Sequence, residues 1–160
     1  MLIREATDGD REAVWDIIGQ VIAGGDTYVF APDTPRDEML DYWFAADKYV
    51  YVVESDGKIL GTMWLKANQP GLGSHVANAA YMVSPDAKGK GIGKAMGEFS
   101  LEEARRLGFT AMQFNFVVKS NNVAVNLWKG LGFEIIGEIP DAFQHSANGL
   151  TNAYVMYRKL

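Results

Sequence analysis

The chain has 160 residues, the size of one ordinary domain, and 48% of them are hydrophobic, enough to bury a single core and too many for a disordered segment. Fifteen Lys and Arg stand against twenty Asp and Glu, and the net charge of −5 argues against a general nucleic-acid binder. The absence of cysteine excludes disulfides, thiolate metal sites and cysteine nucleophiles, while a charged start (MLIREATDGDREAVW) and no run near the ~18 apolar residues of a membrane span predict a soluble, cytoplasmic protein.

LIREAT, Leu2 to Thr7, alternates in polarity and predicts a first strand. Val14, Ile17, Ile18 and Val21 repeat at helical spacing and predict a helix that Gly24 and Gly25 end. After the loop DTYVFAPD a second helix is expected, capped by Thr34, with Pro35 in its first position and Met39, Tyr42, Trp43 and Ala46 as its apolar stripe. Two strands follow, YVYVVE and KILGTMWLK, joined by the hairpin signal Ser55-Asp56-Gly57. The glycine-rich loop NQPGLGS leads into a fourth strand, HVANAAYMV. Beyond it Ile92, Ala95, Met96, Phe99 and Leu107 mark a helix ending at Gly108, with Glu103 an unexplained carboxylate near the apolar stripe. A strand (AMQFNFVV), a helix from Asn121 to Leu131 capped by Gly132, a strand (FEIIGEI), a polar loop and a last strand (TNAYVMYRK) complete the chain. The order β-α-α-β-β-β-α-β-α-β-β predicts an α/β fold, one domain over 1–160, in which a mixed sheet carries helices on its faces.

Between the fourth strand and the third helix lies SPDAKGKGIGKAMG, Ser84 to Gly97, with Lys88, Lys90 and Lys94 among Gly89, Gly91, Gly93 and Gly97. Backbone N–H groups converge at a strand-to-helix turn, the helix dipole adds positive charge, and glycine lets the backbone approach a ligand with no Cβ between. Two readings stand: a solvated lysine-rich turn, or a cradle for a phosphate or pyrophosphate. Two known phosphate loops do not fit. A Walker loop needs glycine at 88 and Ser or Thr at 95, where this chain has Lys88 and Ala95; a dinucleotide fingerprint needs a third glycine where it has Met96 or Lys94.

The pattern basic-x-x-G-x-G does fit. Lys88-Gly89-Lys90-Gly91-Ile92-Gly93 resembles the acyl-CoA pyrophosphate loop of the GNAT superfamily of N-acetyltransferases, with Lys88 in place of the usual Arg or Gln, and YMVSPD resembles the strand end that leads into it. Asn121-x-x-Ala124-Val125-x-Leu127-Trp128-x-x-Leu131-Gly132-Phe133 is similar to the family's N-x-x-A-I-x-L-Y-x-x-x-G-F helix. The element order is also that of a GNAT-like fold. By spacing alone, Ala124, Leu127, Trp128 and Leu131 are equally an amphipathic stripe, so much of the second motif is packing.

The resemblance implies acetyl transfer from acetyl-CoA to an amine. It places Met82, Val83, Lys88, Gly89, Lys90, Gly91, Ile92, Gly93 and Lys94 around the cofactor, with Asn121 and Trp128 at its pantetheine arm. It implies a bulge in the fourth strand that frees a backbone N–H near Val83 as oxyanion donor, between strands splayed to admit the cofactor; a plain buried strand is the other reading. The amine must shed a proton held near pKa ~10 in water. The fourth strand offers only His75 and Asn78, and Asp26, Asp141 and His145 lie in loops, so the base is His145 or a water chain to bulk. Relatives have a proton-donating Tyr where this chain has Trp128, whose indole has no proton to give near neutral pH; Tyr81 is the candidate acid, or the thiol leaves unaided. The resemblance sets the acceptor pocket among Tyr28, Phe30, Trp43, Asn78 and Asn115, with Phe143 from the final loop. Aromatic walls with scattered amides, and a negative net charge, suit a small amino-acid-like or xenobiotic amine. QFNFVV with NLWKGLGF bears a faint likeness to fungal N-acetyltransferases acting on proline-like imino acids. The alternatives are a protein or peptide N-acetyltransferase, a non-catalytic acyl-CoA-binding module and a nucleotide-phosphate binder. No metal, nucleic acid or membrane is expected as a partner, and a homodimer is compatible with the sequence.

Overall fold

The computed structural model of the protein describes residues 1–160. Seven strands form one sheet: β1 (Leu2–Glu5), β2 (Tyr49–Ser55), β3 (Lys58–Ala67), β4 (Val76–Val83), β5 (Ala111–Val118), β6 (Glu134–His145) and β7 (Gly149–Lys159), in the spatial order β1-β2-β3-β4-β5-β7-β6. Helices α1 (Arg11–Ala23), α2 (Arg36–Trp43), α3 (Ile92–Arg106) and α4 (Asn122–Gly130) complete the expected element order. Every neighbouring pair of strands is antiparallel except β4 and β5. No helix is long and apolar enough to cross a membrane.

The sheet buries a core on each face. On one side α1 and α2 set Val14, Ile17, Ile18, Ile22, Met39 and Trp43 against Val52, Trp64, Ala80 and Met82. On the other, α3 and α4 set Met96, Ala104, Val125 and Trp128 against Met63, Leu65, Ala79, Phe114 and Met156. Glu103 belongs to this second face and now has its explanation. It accepts from the Tyr51 hydroxyl at 2.7 Å and pairs with Arg106, whose guanidinium holds the Glu103 carboxyl below its ordinary range.

Three local expectations are corrected. The α2 N-cap is Pro35, not Thr34; the Thr34 hydroxyl donates to the Ala31 carbonyl instead, and the helix stops at Trp43, leaving Ala46 outside. The polar loop after Ile139 is strand: β6 runs on to His145 and forms a hairpin with β7. Its register breaks between Ile139 and Phe143, and Asp141 has φ +48°, so a bulge absorbs Pro140 and its missing donor. The bulge expected in β4 is absent, since Gly61–Ala67 pair with Val83–Ala77 without a shift.

At the other end Arg4 clamps β1, β2 and the start of α1. Its guanidinium grips Asp10 at 2.8 and 2.9 Å and Glu54 at 2.9 Å, and Asp10 also accepts from the Thr7 amide at 2.7 Å. Arg4 lowers the buried Asp10 carboxyl to about 2. Since this folded-state value lies below the unfolded one, the stabilisation is whole above pH ~4 and lost as pH falls toward ~2. Asp10→Asn is expected to cost about 2 kcal/mol at pH 7 and to flatten the acid limb of the stability curve, read by urea unfolding from pH 2 to 7.

Candidate active site

The β4–β5 pair sets the site. These parallel strands bond only at Val76–Ala111 and Ala77–Met112, and then part. A switch point at the carboxyl end of parallel strands is where open α/β sheets bind ligands. The Ser84 amide bonds to the Leu60 carbonyl, so the even-numbered residues of β4 bond to β3. The N–H groups of Ala79, Tyr81 and Val83 therefore face the side that β5 has left. Ala79 gives its N–H to the Asn78 side chain at 2.8 Å, and Tyr81 gives its own to the Tyr28 hydroxyl at 3.0 Å. The pairing leaves Val83 no partner. The free donor expected near Val83 thus exists, created by strand divergence and not by a bulge.

Beyond Val83 the chain makes one 3-10 turn (Pro85–Ala87) and enters α3 through Gly91. Gly89 and Gly91 have φ of +78° and +77°, a region that disfavours side chains, and a Cβ at either would meet nothing within 4 Å. The amides of Gly89, Gly91, Ile92, Gly93 and Lys94 have no acceptor in the chain. Lys88, Lys90 and Lys94 are exposed around them. This is a built cradle for an anion of pyrophosphate size: converging donors, a helix N-terminus, open ground and three cations. Two cofactor candidates are placed differently. The Met82 side chain is buried under α1 and α2 and its backbone belongs to the β3 ladder, so it faces no ligand. Ile92 is buried and offers only its amide.

The floor of the cleft is aromatic. Trp128 packs on Tyr81 and Phe114 with centroids at 4.7 and 4.8 Å. Gly97 lets α4 come close, since a Cβ there would lie 2.6 Å from Leu131 and 3.1 Å from Trp128. Asn121 caps α4, accepting from the Ala124 amide at 3.3 Å.

On the other face of the β4 edge, toward α1 and α2, lies a cavity of about 150 Å³. Five of the six predicted acceptor residues, Tyr28, Phe30, Trp43, Asn78 and Asn115, border it, together with Tyr42, Trp64 and Phe116, whereas Phe143 is buried against Phe116 and His145 and does not. Trp43 is fully buried, with its indole N–H on the Thr62 hydroxyl at 3.0 Å, so it is floor and not contact. Asn115 is exposed. Its amide donates to Asn68 at 2.7 Å and accepts from Gln113 at 3.0 Å, partners the sequence did not suggest. A wider depression of about 670 Å³ is bounded by Gly130, Gly132, Glu134, Tyr157 and Arg158. It touches neither the cradle nor the β4 edge and has no part in the site.

A model of the Acetyltransferase (GNAT) family matches residues 20–133. The chain belongs to the GNAT acetyltransferases. It is 37% identical to a GCN5-related N-acetyltransferase from Kribbella flavida, whose structure aligns with a TM-score of 0.93 over 99% of this chain and 97% of that one. It is 30% identical over 155 residues to N-acetyltransferase aca1 of Schizosaccharomyces pombe, covering 86% of this chain and 74% of that protein. A phosphinothricin acetyltransferase from Sinorhizobium meliloti, solved with acetyl-CoA, shares the fold at 22% identity, a TM-score of 0.86 and coverage of 99% and 88%. Acetyl-CoA is the acetyl donor of this GNAT enzyme, and the cradle and the open β4 edge fit it.

The chemistry within the GNAT cleft departs from two expectations. The Tyr81 hydroxyl lies 2.7 Å from Ser100 Oγ, and Ser100 donates onward to the Gly97 carbonyl. The phenol proton is therefore given to Ser100, and burial pushes the Tyr81 pKa up, both of which make it a poor acid. His145 ends β6, paired with Gly149, and its Nδ1 accepts from the amides of Ala147 and Asn148 in the β6–β7 turn at 3.0 and 3.1 Å. Its free lone pair is spent and its other nitrogen carries the proton, so it holds the turn and is poorly set to act as a base. His75, Asp26 and Asp141 are exposed and outside the cavity. Trp128 is packing, and Trp128→Phe is expected to keep kcat within about fivefold while KM rises, a split steady-state kinetics resolves.

Proposed function

We propose that the enzyme transfers acetyl from acetyl-CoA directly to the amine of a small amino-acid-like or xenobiotic molecule. The supporting observation is the small, half-open aromatic cavity beside the β4 edge. Its Thr27–Phe30 wall is tied down, since the Ser146 amide and hydroxyl at the β6–β7 tip donate to the carbonyls of Gly25 and Gly24 at 3.0 and 2.9 Å. A tethered wall around so small a space suits a small acceptor better than an extended peptide. Acetyl-CoA supplies the acetyl group as a thioester. Lys88, Lys90, Lys94 and the amides of Gly89, Gly91, Ile92, Gly93 and Lys94 bind its pyrophosphate, the open β4 edge with Val83 binds the arm, an amide of that edge serves as oxyanion donor, and Trp128 underlies the arm. A homodimer is favoured by exposed Ile135, Ile136 and Ile139 on β6, the last strand of the sheet.

No Asp, Glu or His borders the cavity. The acceptor then loses its proton to water, and the fraction of free amine sets the rate. Log kcat/KM is expected to rise with unit slope from pH 6 to the acceptor's own pKa, near ~10 for a simple alkylamine, with no inflection near ~6.5. A bell or a plateau near neutrality, in a profile taken with two amines of different pKa, speaks for a dedicated base. The function itself is tested by thiol release from acetyl-CoA with amino acids, proline-like imino acids, polyamines, aminoglycosides and short peptides. Turnover with a small amine is expected; CoA binding with no turnover on any acceptor points to a binding module.

A further inference from the structure

The Tyr28 hydroxyl occupies the open edge of β4 as a neighbouring strand would. It donates to the Tyr81 carbonyl and accepts from the Tyr81 amide. A residue that exchanges both bonds with one edge position copies the pairing of a strand, yet this one is a side chain from the α1–α2 loop. The two groups it satisfies lie where β5 has already diverged, so no backbone competes for them. Burial pushes the phenol up to about 12, so it keeps its proton near neutrality and serves both bonds.

Position along the edge gives the contact its meaning. The cradle at Gly89–Lys94 follows the end of β4, and the acceptor cavity begins at Asn78, Ala79 and Ala80. Between them the edge presents Val83 and then Tyr81. A cofactor held by its pyrophosphate in the cradle reaches Val83 with its arm, and only further along, beside the cavity, with its acyl end. Resting on the acetyl-CoA reading above, we propose that Tyr28 is a placeholder: its phenol holds the Tyr81 amide in the free enzyme and yields that amide to the acyl carbonyl when acetyl-CoA binds, but not when CoA binds. The oxyanion donor then moves one step along the edge from Val83, the sequence-based choice, to Tyr81. Tyr28 also walls the acceptor cavity, so its release reshapes the pocket only when an acetyl group is present to be transferred.

The test is calorimetric binding of CoA and of acetyl-CoA, without acceptor, to the wild type and to Tyr28→Phe. The variant removes the competing hydroxyl and keeps the ring. Acetyl-CoA is expected to bind the variant more tightly, raising the ratio of the CoA to the acetyl-CoA Kd threefold or more, with the CoA Kd itself changed less than twofold. A smaller change in the ratio, or one in the opposite sense, overturns the proposal. If the variant does not fold, amide hydrogen exchange on the wild type decides. Faster exchange over residues 26–31 with acetyl-CoA than with CoA is expected, and equal exchange overturns the proposal. A wild type that binds neither ligand overturns the acetyl-CoA reading itself, a failure distinct from an unchanged ratio.

Discussion

Gly91→Trp is expected to weaken CoA binding a hundredfold or more, about 2.7 kcal/mol, in a protein that still folds. The indole would stand over the unpaired amides at the start of α3, in space that is open now. The cost to the fold is confined to the left-handed backbone at this exposed position, about 1–2 kcal/mol, or a few degrees in Tm for a chain of this size. Gly91→Ala carries the same backbone strain without the bulk and separates the two effects, with a loss of about tenfold or less. Lys88→Ala is the milder probe, worth roughly 1–3 kcal/mol, and its solvent exposure sets it at the low end of that range. Calorimetry with CoA, beside a thermal melt, reads all three. A folded Gly91→Trp variant with unchanged affinity would remove the cradle from the account.

Filling the other cavity should do the converse. Asn115→Trp places a large ring at an exposed position bordering a space of only about 150 Å³, so the fold has little reason to suffer. We expect kcat/KM for the amine to fall at least a hundredfold, about 2.7 kcal/mol, while the CoA Kd stays within twofold. Loss of the bonds to Asn68 and Gln113 contributes to that fall, and Asn115→Ala measures their share. Undiminished transfer by the Trp variant would show that the acceptor enters elsewhere.

The order of elements was legible because each carries its own periodicity: the helical spacing of Val14, Ile17 and Ile18, the alternation in β2 and β3, the glycines ending α3 and α4. The cradle was legible because glycine, lysine and turn fall together in the chain, so local sequence is enough. What failed is non-local. Pro140 and Asp141 read as a loop, and only pairing with β7 makes them a bulge within a strand. Glu103 was unexplained because its partner Tyr51 is 52 residues away. The role of His145 depends on two amides that its own hairpin brings back to it. Family resemblance puts Tyr28 at the acceptor pocket, but its bonds to Tyr81 depend on β5 leaving β4, a divergence that neither strand's composition encodes. Trp64 and Tyr42 were missed at the cavity because each also reads as ordinary core or helix-stripe residue.

In our proposal a pocket of about 150 Å³ delivers a small amine to the acyl end of acetyl-CoA on the β4 edge. Its test is kcat/KM for free amino acids and other small amines, measured beside peptides that carry the same N-terminal residues. The free amines are expected to be the better acceptors. A tenfold or greater preference for the peptides, about 1.4 kcal/mol of transition-state binding beyond the first residue, would contradict it and assign the enzyme to protein acetylation.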